Sequence, residues 1–158
     1  NDWEKANGLS VLKAKQFLDE PFFLLMGDHL FDPDIARKMI DFPLMDDEIA
    51  LAVDQDLKNP MVDMDDVTRV MVRDGLIRNI GKGIEEYNCF DTGIFLCNPV
   101  LFSALEQSMR ETGDDSLSGG VRILAGKGRV RAMPIDGKFW IDIDDPERYK
   151  QAESYLLS

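Results

Sequence analysis

One short apolar run sets the strongest limit on how this chain can fold. Residues Phe22 to Met26 are all apolar, follow Pro21 and end at Gly27. A run of this length is typical of a strand buried on both faces, which implies a parallel sheet covered by helices. Asp28 follows directly, at the carboxyl end of the strand, where open α/β sheets bind their ligands.

The rest of the chain alternates between helix and strand patterns. Asp32-Pro33 and Asp145-Pro146 are typical helix starts, and Asp74-Gly75 between two apolar runs predicts a β-hairpin. We therefore predict an α/β fold of three layers with a mixed, mostly parallel sheet. No composition shift marks a second domain, so residues 1–158 are assigned to one domain.

Charge and cysteine usage exclude several classes of function. The formal net charge is −12, which disfavours nucleic acids and anionic membranes as partners and suits metal cations. The two cysteines, Cys89 and Cys97, lie in apolar runs and predict buried free thiols in a reducing compartment, the cytoplasm. With a single histidine, His29, and no CxxC pair, a structural zinc site is not expected.

Two acidic segments could bind a cation. Asp28 lies at a strand end, although a turn or helix-capping role is the alternative. In the segment 139–146, strand alternation places Trp140, Asp142 and Asp144 on one face, where two carboxylates repel each other unless exposed or bridged by a cation. The alternative is that Asp144 or Asp145 only caps the following helix, which we expect for Asp145.

Other polar residues allow both a functional and a structural interpretation. Asp91-Thr92-Gly93 interrupts an apolar strand, which indicates either close approach of a ligand or a β-bulge. Lys82 lies in a glycine-flanked loop, where a solvated role is the simpler interpretation. The same holds for the acidic loop residues Asp63, Asp65 and Asp66.

The start of the chain contains a further candidate. Ala6-Asn7-Gly8-Leu9-Ser10 could form a backbone-rich ligand cradle at a helix N-terminus, or an ordinary helix cap. His29 has no serine or cysteine partner that the sequence identifies, so it is interpreted as a structural or pocket-wall residue.

In order along the chain, these segments resemble the nucleotidyltransferases that activate phosphorylated sugars and alcohols with a nucleoside triphosphate. The matching segments are Asn7-Gly8-Leu9-Ser10, Leu25-Met26-Gly27-Asp28-His29, Ile80-Gly81-Lys82, Phe90-Asp91-Thr92-Gly93-Ile94-Phe95 and Trp140-Ile141-Asp142. The Met-Gly-Asp-His, Asp-Thr-Gly-Ile-Phe and Trp-Ile-Asp-Ile-Asp forms are most similar to the cytidylyltransferases that form CDP-inositol from inositol 1-phosphate.

The resemblance implies a Rossmann-like nucleotidyltransferase fold and a Mg²⁺-dependent transfer that releases pyrophosphate. CTP and inositol 1-phosphate are the favoured substrates, with other bases and hexose 1-phosphates as alternatives. It implies Asp28 and Asp142 as metal ligands, with Asp144 as a further candidate, and Lys82 as the cation that holds the acceptor phosphate. Substrate-binding roles are implied for Asn7, Gly8, Ser10, Gly27, His29, Asp91, Thr92 and Gly93.

One departure from the family pattern matters. The family begins with a strand and a Gly-rich loop containing Gly-x-Gly-Thr-Arg, and no such stretch follows Asn1, which is not an initiator methionine. We therefore expect residues 1–158 to be the C-terminal part of one nucleotidyltransferase domain, incomplete at its N-terminus and nearly inactive alone. A non-catalytic binding or assembly module of the same fold is the alternative, and the sequence leaves a homo-oligomer open.

Overall fold

The computed structural model describes residues 7–158, so Ala6 and the residues before it lie outside the described part of the chain. The helices are α1 (Asn7–Lys13), α2 (Pro33–Ile40), α3 (Val100–Thr112), α4 (Leu117–Gly126) and α5 (Pro146–Leu156), with a 3₁₀ turn at Ala14–Gln16. The strands are β1 (Phe22–Leu25), β2 (His29–Phe31), β3 (Ile49–Asp54), β4 (Arg69–Arg73), β5 (Leu76–Gly81), β6 (Cys89–Cys97), β7 (Val130–Pro134) and β8 (Trp140–Asp142).

Local sequence signals account for several element boundaries. The Asp32 side chain accepts a hydrogen bond from the Asp34 backbone N–H and starts α2, and Asp145 caps α5 in the same way. Asp74 and Gly75 both have positive φ, 55° and 72°, as the predicted hairpin turn between β4 and β5 requires. These three predictions are confirmed.

The main sheet is mixed, with strand order β1-β6-β3-β7-β5-β4. Among the described residues, β3 and β7 form the one parallel pair, and the other pairings of this sheet are antiparallel. The mixed sheet is confirmed, but the expectation of mostly parallel pairing is not. Here β4 and β5 are joined by a tight hairpin, and β6 runs against β1, β3 and β4, so neighbouring strands reverse direction.

Helices cover both faces of this sheet. Ile49, Leu51 and Val53 of β3 pack in one cluster with α1, α3 and α4, whereas Ala50 and Ala52 pack with α2 and Trp140 in the other. All six residues of β3 are buried, as a central strand between two helical layers must be. The predicted three-layer arrangement is therefore confirmed.

Strand β1 differs from its prediction. Phe22 stacks on Phe102 of α3 with ring centroids 5.3 Å apart, but Phe23 and Leu25 point outward and are 38% and 44% exposed. Phe22 and Leu24 pack against the core on one face of β1, whereas the face that Phe23 and Leu25 share is only partly covered by residues 7–158. The all-apolar run therefore does not mark a strand buried on both faces.

A second, two-stranded sheet positions the polar residues. Strands β2 and β8 pair antiparallel, with His29 opposite Asp142, Leu30 opposite Ile141 and Phe31 opposite Trp140.

Within the described range, no helix is both long enough and apolar enough to span a membrane.

Candidate functional site

A cleft of about 250 Å³ lies where the β2–β8 sheet meets the loop before β4 and the end of β5. Eight of the twelve predicted metal- and substrate-binding residues line it: Asn7, Asp28, His29, Lys82, Asp91, Gly93, Asp142 and Asp144. The folded chain thus brings together segments from its start, middle and end.

Four other predicted substrate-binding residues do not line this cleft. Gly8 is buried, and an added Cβ would lie 2.4 Å from the Asp115 carbonyl oxygen, so it serves close packing of α1 against the start of α4. The Thr92 hydroxyl donates to the Ala52 carbonyl oxygen at 2.8 Å, inside the sheet. Ser10 is exposed on α1, and Gly27 has open space around it.

Asp28, His29 and Asp142 form the tightest polar group in the cleft. His29 Nε2 lies 3.4 Å from Asp142 Oδ2 and 3.9 Å from Asp28 Oδ1, and one ligand atom from each residue lies within 4.8 Å of the other two. Asp28 comes from the turn before β2, and Asp142 is brought to it by the pairing of β2 with β8. The two aspartates therefore lie within bridging distance of a single cation.

The surroundings of Asp142 destabilise its charged form. Its pKa is raised to about 6, mainly because it is buried and also because of the nearby carboxylates of Asp144 and Asp28, while His29 acts to lower it. Its Oδ1 atom is buried and has no hydrogen-bond partner among the described residues. A carboxylate oxygen in this state is stabilised when a cation binds it, because the cation supplies the missing counter-charge.

His29 is held in one orientation. Its ring is 12% exposed, and Nδ1 lies 2.7 Å from the Thr92 carbonyl oxygen. On another side lies Trp140, with ring centroids 6.0 Å apart, and the Trp140 indole N–H donates to buried Asp54 at 2.8 Å. Asp54 thus supports the wall behind His29, a role that no local feature of the sequence indicates.

Lys82 pairs with Asp66 in a short charge-assisted hydrogen bond across the cleft. Asp66 was interpreted as part of a solvated loop face, but it lines the cleft and can share a cation with Asp142 and Asp144. Sequence reasoning missed it because three similar aspartates stand in one loop, and only the folded path of the loop distinguishes Asp66.

Asp91 lines the same cleft as this pair. Its Oδ1 accepts the Gly93 backbone N–H at 2.7 Å, and desolvation raises its pKa to about 6. Asn7 also lines the cleft, and its Oδ1 accepts the Leu117 backbone N–H at 2.9 Å, which fixes the Asn7 side chain to the first turn of α4. The amide N–H donors of Asn7 do not take part in this bond.

Comparisons with known proteins place this geometry in context. No protein-family model matches the chain. It is 31% identical to the bifunctional IPC transferase and DIPP synthase of Archaeoglobus fulgidus, over 98% of this chain and 29% of the relative. The protein of the same name from Aquifex aeolicus is 29% identical over 98% of this chain and 33% of the relative. The chain thus spans about a third of the length of these curated relatives.

The similar solved structures are also transferases or pyrophosphorylases that use nucleotides. The inositol-1-phosphate CTP transferase of T. maritima superposes with a TM-score of 0.83 at 28% identity, covering 99% of this chain and 63% of that one. A UDP-glucose pyrophosphorylase bound to UDP-glucose gives 0.69 at 15% identity, covering 97% and 62%, which supports the fold alone. The resemblance to nucleotidyltransferases and the Rossmann-like nucleotidyltransferase fold, both predicted from the sequence, are confirmed.

Proposed function

We propose that the cleft transfers a nucleotidyl group from a nucleoside triphosphate, with CTP favoured, to a phosphorylated polyol or sugar, with inositol 1-phosphate favoured. One observation carries the proposal: Asp28 and Asp142, from distant parts of the chain, lie together in a cleft that also contains Lys82 and Asp91. The names of the relatives and of a similar solved structure, the inositol-1-phosphate CTP transferase of T. maritima, support the choice of substrates.

Asp28 and Asp142 would hold a divalent cation, Mg²⁺, with Asp144 close enough to assist. The donor set fits, since the ligand atoms of Asp28 and Asp142 lie within 4.8 Å and the buried Asp142 Oδ1 lacks a partner. When bound, the cation supplies positive charge that offsets repulsion between the two phosphorylated substrates.

Lys82 would hold the acceptor phosphate as a point charge. Its ammonium group is paired with Asp66, so acceptor binding must exchange a carboxylate partner for a phosphate. The acceptor phosphate oxygen attacks the α-phosphorus of the nucleotide, the bond to the β-phosphate oxygen breaks, and pyrophosphate leaves. Since a phosphate anion is already a nucleophile, the residues of the cleft position and neutralise rather than act as a base.

Asp91 would accept hydrogen bonds from hydroxyl groups of the acceptor, because it lines the same cleft as Lys82. Asn7, which lines the cleft and is anchored to the start of α4, would lie near the base and ribose. Gly8 and Ser10 would shape the site around Asn7 through packing and backbone rather than by lining the cleft. The buried free thiols of Cys89 and Cys97 support the cytoplasm as location.

The test measures pyrophosphate release by the full-length protein with CTP, inositol 1-phosphate and Mg²⁺. Asp142→Asn should abolish turnover and any Mg²⁺-dependent rise in melting temperature. Asp136→Asn is the matched control, since Asp136 is an exposed turn aspartate outside the cleft and asparagine tolerates its φ of 56°. CTP binding without turnover in the unsubstituted protein would refute the enzymatic proposal and favour a binding module.

A further inference from the structure

The chain contains one histidine, and the fold aims it at the two aspartates of the proposed metal site. His29 lies opposite Asp142 in the β2–β8 register, with its Nε2 3.4 Å from one carboxylate oxygen and 3.9 Å from an oxygen of Asp28. The pattern in the sequence indicated a pocket wall, but the geometry directs a ring nitrogen to the centre of the group.

The hydrogen bond on the far side of the ring determines which nitrogen carries a proton. A backbone carbonyl oxygen only accepts, so the contact of 2.7 Å between Nδ1 and the Thr92 carbonyl requires the proton on Nδ1. In the neutral imidazole, Nε2 then carries a lone pair directed at Asp28 and Asp142. Metal-binding histidines have this arrangement, in which the second ring N–H is donated to a carbonyl or carboxylate.

The surroundings leave the ring little freedom to turn away. Gly93 has φ of +74°, and a Cβ on it would lie 2.5 Å from His29 Nδ1 and 2.7 Å from Cε1. Trp140 lies on another side, so the ring fills a space formed by Thr92, Gly93 and Trp140. A glycine at position 93 therefore makes room for the imidazole in the orientation that presents Nε2.

We propose that His29 Nε2 is a third protein ligand of the divalent cation held by Asp28 and Asp142, an inference that rests on the proposed function. Metal–ligand bonds of about 2.1 Å place neighbouring ligand atoms about 3.0 Å apart. The 3.4 Å separation from Asp142 needs little closure, and the Asp28 side chain, 57% exposed, is free to swing inward.

The consequence is a preference among metals. Mg²⁺ favours oxygen donors, whereas a site that includes an imidazole nitrogen favours transition-metal ions, whose affinity for a given site rises from Mn²⁺ through Co²⁺ to Cu²⁺. The site therefore takes Mg²⁺ where that ion is abundant but binds Mn²⁺ and Co²⁺ with higher affinity than two carboxylates alone would give.

A direct test uses the single histidine as an NMR reporter. Residues 1–158 contain one histidine, so in the ¹⁵N-labelled 158-residue chain at pH 7.5 every imidazole nitrogen signal belongs to His29, and Zn²⁺ can be added as a diamagnetic probe. We expect Nε2 to move to the position of a metal-bound nitrogen while Nδ1 keeps its proton. An imidazolium with both nitrogens protonated, or signals unchanged by Zn²⁺, would overturn the proposal. This measurement needs no substitution and is therefore independent of variant folding.

A second test compares the affinities of Mn²⁺ and Mg²⁺ by calorimetry in wild type and His29→Gln. Glutamine reaches the position of Nε2 but offers an amide oxygen, so it replaces a nitrogen donor with an oxygen donor. We expect the Mn²⁺ preference over Mg²⁺ to fall by about tenfold or more, while Mg²⁺ still binds. An unchanged Mn²⁺-to-Mg²⁺ ratio would overturn the proposal.

Asp142→Asn separates this inference from the proposed function. If Asp142→Asn binds Mn²⁺ as tightly as wild type does, the metal site itself is misplaced and both proposals fail. If Asp142→Asn loses Mn²⁺ while His29→Gln keeps the wild-type metal preference, only the role of His29 is refuted. If Asp142→Asn loses Mn²⁺ binding, and His29→Gln loses the preference for Mn²⁺ but still binds Mg²⁺, both proposals are supported.

Discussion

Replacing Gly93 with alanine tests whether the site depends on close packing against His29. Gly93 lies in the middle of β6 with φ of +74°, and its Cβ would lie 2.5 Å from His29 Nδ1 and 2.7 Å from Met26 Cγ. Contacts below 3.0 Å do not occur for real Cβ atoms, so the ring must shift. A shift of the ring breaks its hydrogen bond to the Thr92 carbonyl oxygen.

The magnitude follows from two separable costs. A non-glycine residue in the left-handed region costs about 1–2 kcal/mol, and forcing a methyl group into a filled space costs about 1–3 kcal/mol more. We therefore expect Gly93→Ala to lower the free energy of unfolding by about 2–5 kcal/mol.

Gly75→Ala is the matched control. Gly75 has nearly the same φ, +72°, but no atom lies within 4 Å of the position of its Cβ. It should therefore show the conformational cost alone, about 1–2 kcal/mol. Equilibrium urea unfolding of the three proteins measures the difference. If Gly93→Ala loses no more stability than Gly75→Ala, the crowding at His29 is not real and the account of its fixed orientation is refuted.

Three further predictions concern other parts of the molecule. Asp66→Asn frees the exposed Lys82 ammonium and should lower the KM of the full-length protein for the phosphorylated acceptor about two- to fivefold; an unchanged or higher KM contradicts competition between Asp66 and phosphate. The pKa of Asp91 lies at about 6, above its ordinary 3.8, so the native state keeps a proton that the unfolded chain releases, and stability falls as pH rises between these values. Asp142, whose pKa is also raised to about 6, contributes to the same fall. Asp91→Asn in metal-free buffer should therefore make the fall smaller without removing it, and parallel pH profiles of both proteins would count against it. Burial raises the pKa of Cys89 to about 11 and that of Cys97 further, so both thiols should react with a thiol reagent only after unfolding, and rapid labelling of the native protein would contradict this.

The features that could be predicted from the sequence are those set by neighbouring residues. The cap at Asp32, the hairpin turn at Asp74-Gly75 and the cap at Asp145 each depend on residues within a few positions. Alternation along the segment 139–144 likewise predicted that Asp142 and Asp144 share a face, and both line the cleft.

The features that could not be predicted depend on where distant segments meet. The exposure of one face of β1 depends on which distant elements pack over that end of the sheet, which an apolar run cannot reveal. The Asp66–Lys82 pair forms because the loop before β4 folds over the end of β5, and nothing in an acidic loop indicates that approach. The metal-ligand role of Asp28 and Asp142 stays a prediction, although the fold brings their ligand atoms within 4.8 Å of each other.

The register of the small β2–β8 sheet is what joins these observations into a site. Because side chains alternate along a strand, slipping β8 by one residue would place Ile141 opposite His29 and turn Asp142 to the other face. Two groups oppose that slip: Trp140 donates its indole N–H to buried Asp54, and Ile141 is fully buried. The Ile143 backbone N–H also donates to the Asp28 carbonyl oxygen at 2.9 Å, which closes the end of the sheet next to the aspartates. The position of the carboxylates is therefore fixed by buried contacts that take no part in the chemistry, so substitutions at those contacts should impair the site without touching it.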